Sequence, residues 1–113
     1  MVDIRSLEAI GANTKEGLAR CLNNEAFYLK LVNKVIDDNK YPLLEEAIKN
    51  DDLDKAFEIV HSMKGVYGNL SLTPIYEKAS EITELLRKRT KIDYKPLLDE
   101  LKKRIGDLES LRQ

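Results

Sequence analysis

An all-α fold, an antiparallel four-helix bundle with additional short N-terminal helices, is predicted by three features of this chain. Apolar residues recur at intervals of three and four along nearly its whole length, the spacing that lines one face of a helix. Glycine (5) and proline (3) are few, and no stretch alternates in the manner of a strand. Four substantial segments each carry one apolar stripe and are joined by short connections, which 113 residues satisfy by packing helix on helix.

The elements follow in order. A first short segment carries Ile4, Leu7 and Ile10 and stops at Gly11. Asn13, with Glu16 three residues on, resembles a capping box for a short helix bearing Leu18, Cys21 and Leu22. Asn23 or Asn24 caps the next helix, with Phe27, Leu31, Val32 and Val35 on its inner face. Pro42 interrupts that pattern. Either the helix kinks there or a new one starts, with Pro42 in its first turn and Leu44, Ala47 and Ile48 inward. Asp52 is a good N-cap for the following helix and Asp54 suits its first turn. That helix should stop near Leu70, because Thr73-Pro74 reads as the N-cap and first position of the next, whose stripe is Ile75, Ala79, Ile82 and Leu86. Arg87-Lys88-Arg89 closes it with cations suited to a helix C-terminus. The last helix begins near Asp93 and repeats Tyr94, Leu97, Leu98, Leu101, Ile105 and Leu108. No linker or repeat divides the chain, so one domain over 1–113 is expected, its bundle core spanning about 24–112.

Composition narrows the function. With 19 basic and 20 acidic residues the formal net charge is −1, without the basic excess of a general nucleic-acid or membrane-surface binder. No apolar run approaches the roughly 20 residues needed to span a bilayer, and the first residues lack the basic-then-apolar pattern of a secretory signal. A single cysteine, Cys21, cannot form an internal disulfide and reads as a packed thiol in a reducing compartment. A cytoplasmic monomer is expected. The initial Met and the full bundle length favour a stand-alone protein over a piece of a hybrid kinase.

The one histidine, His61, carries the chemistry. At about 100° per residue, with His61 at zero, the stripe Leu53, Ala56, Val60, Met63 and Tyr67 falls between roughly 200° and 280°. The imidazole therefore faces water. Lys64 falls near −60°, Gly65 near +40° and Gly68 near −20° on the same wheel, roughly the same face. Glycines inside a helix cost about 1 kcal/mol each relative to alanine. What they supply is bare backbone that another molecule can approach. A neutral imidazole keeps a free lone pair at cellular pH, and an ammonium beside it suits a phosphoryl acceptor. Phe57, at the edge of the stripe beside His61, is either an apolar docking contact or a boundary core residue. Asn69 reads as a helix-end residue rather than a phosphate ligand.

The run His61-Ser62-Met63-Lys64-Gly65-Val66-Tyr67-Gly68-Asn69-Leu70 resembles the phosphorylation motif of histidine-containing phosphotransfer (HPt) domains, His-x-Leu-Lys-Gly-x-x-Gly-Asn-Leu-x-Leu. Met63 stands at the leucine position and Ser71 where a glycine is common. Gly17-Leu18 followed by Glu25-Ala26-Phe27-Tyr28-Leu29 looks like the family's opening helices, and Asp52 before the motif and Ile75-Tyr76-Glu77 after it fit its layout. The resemblance implies a carrier in a two-component phosphorelay, partnered by response-regulator receiver domains or a hybrid histidine kinase. His61 would take the phosphoryl group from a receiver aspartate and Lys64 would offset its charge. The receiver would dock over Gly65 and Gly68 and supply the divalent cation, with no cofactor or resident metal on this chain.

Rival readings have less behind them. Glu58 and His61 have the Glu-x-x-His spacing of di-iron bundles, but such sites need two inward-facing motifs and two further glutamates. No Walker loop or Gly-rich nucleotide fingerprint is present, so an ATP-using enzyme is not expected. Arg87-Lys88-Arg89-Thr90-Lys91 could touch nucleic acid, though a solvated helix end explains it more simply. The alternative that remains is a non-catalytic docking bundle in which His61 is incidental.

Overall fold

The computed structural model describes residues 1–112 and is helical, without a strand among them. Two short helices, α1 (Ile4–Ala9) and α2 (Thr14–Arg20), precede α3 (Glu25–Asp37), α4 (Tyr41–Lys49), α5 (Leu53–Asn69), α6 (Thr73–Arg87) and α7 (Lys95–Glu109); a 3₁₀ turn, Ser110–Arg112, follows. Capping chemistry starts several of them. Asn13, Asn24 and Asp52 accept from the backbone N–H of Glu16, Phe27 and Lys55 in turn. Of the two candidates, Asn24 is therefore the cap of α3. The capping box at Asn13 is only half made. The Asn13 backbone N–H goes to the Ser71 carbonyl, 2.9 Å away, so the Glu16 carboxylate takes the Asn13 side-chain amide instead. A complete box forms one helix earlier, between Asp3 and Ser6.

At Pro42 a new helix begins rather than a kink. Asn39 Oδ1 accepts from the Tyr41 N–H, and Pro42 occupies the first turn of α4, where no N–H is needed. The contacts of α3 and α4 place them end to end along one side of the molecule. α4 packs against α5, to whose start the turn at Asp51 joins it, while Tyr28 Oη of α3 donates to the Leu70 carbonyl at the far end of α5. Arg112 reaches Asp37 and the Asn33 carbonyl at one end of α7, and Tyr41 Oη reaches the Leu98 carbonyl at the other. The result is an up-down-up-down four-helix bundle of α3–α4, α5, α6 and α7, the fold class expected, with α5 and α6 the most intimately packed pair.

One hydrophobic cluster runs from Val2 to Leu108. On α5 it takes Ala56, Val60, Met63 and Tyr67; on α6 Ile75, Ala79, Ile82 and Leu86; on α7 Leu98, Leu101, Ile105 and Leu108, as the periodicity requires. Tyr94 is buried too, as the N-cap of α7 rather than a residue within it. Two stripes differ. The inner face of α3 is Tyr28, Val32 and Ile36; Leu31 and Val35 lie half-buried beside it and Phe27 is 47% exposed. Tyr28 sets that rotation, because its ring lies over Gly17 of α2, where a Cβ would stand 2.6 Å from it. On α2 the buried positions are Thr14 and Gly17, with Cys21 at its end; Leu22 lies past the helix, 91% exposed at φ +57°.

Several helices end by the same device. After α5, the Leu72 N–H reaches the Tyr67 carbonyl and the Ser71 N–H the Gly68 carbonyl, with Ser71 at φ +55°. Asp51 (φ +56°) and Arg89 (φ +51°) close α4 and α6 with the same pair of bonds. Thr73 is therefore the first residue of α6 and Pro74 the second, with Leu72 as N-cap, one position from expectation. Ser71 bears two costs: a left-handed conformation on a residue with a Cβ, and a buried Oγ without a hydrogen-bond partner among the described residues. Ser71→Gly should raise stability by about 1 kcal/mol, read as a higher urea midpoint at unchanged m-value.

Burial also marks the tyrosines. The phenols of Tyr28 and Tyr67 are each pushed up to about 12, chiefly by desolvation, with Glu109 adding to Tyr67. Tyr41 moves the same way, through burial and the neighbouring Glu45 carboxylate. In the unfolded chain these groups ionise near 10, so between about 10 and 12 the native state holds more protons and stability falls as pH rises. Urea midpoints should decline through that window, and Tyr28, Tyr41 and Tyr67 should add their tyrosinate absorbance there chiefly with unfolding.

Candidate functional site

α5 sets the site. Because its inward face is spent on Ala56, Val60, Met63 and Tyr67, the opposite side of the same turns must face out, and His61 in the middle of the helix is exposed. Lys64 is half-buried one turn on and makes no ion pair among the described residues. Gly65 is open: a Cβ built there meets nothing within 4 Å. His61, Lys64, Gly65, Gly68 and Asn69 form the α5 wall of one depression of about 460 Å³, with Arg20 of α2 and Tyr76 of α6 also lining it.

Gly68 differs from expectation. A Cβ there would lie 2.8 and 2.9 Å from Cδ1 and Cε1 of Tyr76. Its missing side chain is filled from within the chain, by the Tyr76 ring, which α6 lays across α5. Gly68 therefore lets α5 and α6 approach, whereas Gly65 alone presents unobstructed backbone beside the imidazole.

Phe57 is a boundary residue of the core, packed against the buried cluster rather than free on the surface. It is half-buried, and its ring stacks on His61 with centroids 5.5 Å apart and planes 10° from parallel. The guanidinium carbons of Arg87 and Arg89 lie 5.1 and 5.5 Å from its centroid. The basic run at the end of α6, read from sequence as a solvated terminus, thus sends two cations to the flank of the site. Arg89 also pairs with Asp54 of α5 at 2.6 Å, and Arg87 with Glu84 at 3.3 Å.

Sequence spacing within α5 could reveal His61, Lys64, Gly65, Gly68 and Phe57, since all lie on one helix. It could not reveal Arg20, Tyr76, Arg87 or Arg89, which come from α2, from α6 and from the turn after α6. Among the described residues no group of three or more His, Cys, Asp or Glu side chains is placed to hold a metal ion, and no helix is long and apolar enough to cross a membrane. Chemically, the arrangement offers an exposed imidazole, a lysine lining the same depression and a stretch of open backbone, with no hydrogen bond or ion pair to the imidazole among the described residues.

The family model described as Hpt domain matches residues 39–111, from just before α4 to the final 3₁₀ turn. No curated protein and no solved structure matches the chain.

Proposed function

Because the chain belongs to the Hpt domain family, whose members carry phosphoryl groups on histidine in two-component phosphorelays, we propose that His61 is the residue that is phosphorylated. The donor is the acyl phosphate of a receiver-domain aspartate. The Nε2 lone pair attacks phosphorus in line; the N–P bond forms as the P–O bond to the aspartate breaks, and the aspartate leaves as carboxylate. The Nδ1 proton stays on the ring. A second receiver aspartate later attacks the phosphohistidine and restores the imidazole. Response-regulator receivers or a hybrid histidine kinase are the partners, and the receiver supplies the divalent cation. This chain supplies nucleophile, local charge and docking face, since positioning and electrostatics dominate such transfers.

One observation carries the reading: the sole imidazole stands exposed at mid-helix with open backbone at Gly65 beside it. Gly65 and Gly68 lie where the receiver approaches, the latter beneath Tyr76. Mixing the chain with a receiver phosphorylated from acetyl phosphate should transfer acid-labile, base-stable phosphate to it. A docking bundle would bind the receiver and take up no label. Lys64→Ala should slow transfer about tenfold while receiver affinity stays within about twofold, as expected of a cation that acts on the moving phosphoryl group. Equal losses in rate and affinity would make Lys64 a binding residue only.

A further inference from the structure

We propose that Phe57 is a positioning residue for His61: its ring, steadied by Arg87 at the end of α6 and Arg89 in the turn after it, holds the imidazole in the orientation from which it attacks. The inference rests on the phosphotransfer reading above and assigns a role to three side chains that it leaves unused.

Phe57 and His61 are one helical turn apart, so their side chains are neighbours on the surface of α5. They meet as a near-parallel stack at 5.5 Å, within the range of offset aromatic pairs. An imidazole projecting from a helix into water otherwise exchanges among rotamers, and only some aim Nε2 along the line of attack. Contact with a ring that is itself fixed narrows that set.

Phe57 is fixed by more than its own burial. Arg87 and Arg89 both lie within cation–π distance of it. Each guanidinium is in turn held by a carboxylate, Glu84 for Arg87 and Asp54 for Arg89. Arg89 also donates to the Leu86 carbonyl, and its backbone takes the left-handed turn that ends α6. Asp54 and Phe57 are themselves a turn apart on α5. The end of α6 is thereby fastened to the start of α5 across Asp54 and Phe57, and the last contact in that series is the imidazole. The ring packs against the hydrophobic core and is met besides by an imidazole and two cations.

The test uses the full chain with Phe57→Leu, which keeps apolar bulk but removes the aromatic face, and Phe57→Tyr, which restores it. In wild type and Phe57→Tyr the carbon-bound protons of His61 should show upfield ring-current shifts and nuclear Overhauser contacts to ring 57; in Phe57→Leu both should vanish. Single-turnover transfer from a phosphorylated receiver should fall about tenfold in Phe57→Leu, with half-saturating receiver concentration within about twofold, and recover in Phe57→Tyr. Wild-type transfer by Phe57→Leu, or a loss shared equally between rate and affinity, would overturn the proposal. So would imidazole signals indifferent to the substitution. If wild type itself takes no label, the phosphotransfer reading fails, whereas the imidazole spectra still report whether Phe57 holds the ring.

Discussion

His61→Gln should take up no acid-labile phosphate from a phosphorylated receiver, while far-UV circular dichroism and the urea midpoint stay close to wild type. Both halves follow from where the residue stands. It is exposed, makes no hydrogen bond among the described residues, and touches the rest of the chain chiefly through the stack on Phe57. Glutamine has a good helix propensity, so the helix loses little. What it lacks is a nucleophilic ring nitrogen, and the chain has no second histidine to substitute. Labelling at the wild-type level would refute the assignment of His61 outright.

Gly65→Leu should push stability and transfer in opposite directions. Leucine in place of glycine inside a helix gains about 0.8–1 kcal/mol, and a Cβ at this position meets nothing within 4 Å that could offset the gain. The urea midpoint should rise. The same isobutyl group would stand beside the imidazole on the face a receiver must approach, so transfer should fall by about a hundredfold or more, a loss of the size that misplacing reacting groups produces. Transfer at the wild-type rate would show that close approach over Gly65 is not needed. Gly68 cannot serve for this experiment, because a side chain there would collide with Tyr76 and mix a packing defect into any loss of transfer.

The contrast between these two glycines shows how far local spacing reaches. On a helical wheel both share the histidine face and look alike. Tyr76 comes from the next helix, and only the set of α6 against α5 puts its ring over Gly68 rather than Gly65. Phe57 behaves similarly: its position beside His61 follows from the turn between them, but the two guanidiniums on its ring arrive from the end of α6. On α3, Val32 is buried as its spacing predicts, but Tyr28 takes the place expected of Phe27 for a related reason. Phe27 and Tyr28 are both large and aromatic, and the choice between them turns on Gly17 making room for one ring and the Leu70 carbonyl accepting its hydroxyl, at a separation of 42 residues. The start of α6 lies one position from expectation because Ser71, rather than the usual glycine, takes the left-handed position that ends α5, and Leu72 then caps α6.

The order of residues alone was enough for the helical class, the inward stripes of α5, α6 and α7, and an outward histidine followed by lysine and glycine, because each depends on periods of a few residues along one rod. The packing of rod against rod settled which glycine stays open, which aromatic turns inward and which cations meet the Phe57 ring. Those outcomes depend on contacts between residues distant in the chain, and no spacing within a single helix encodes them.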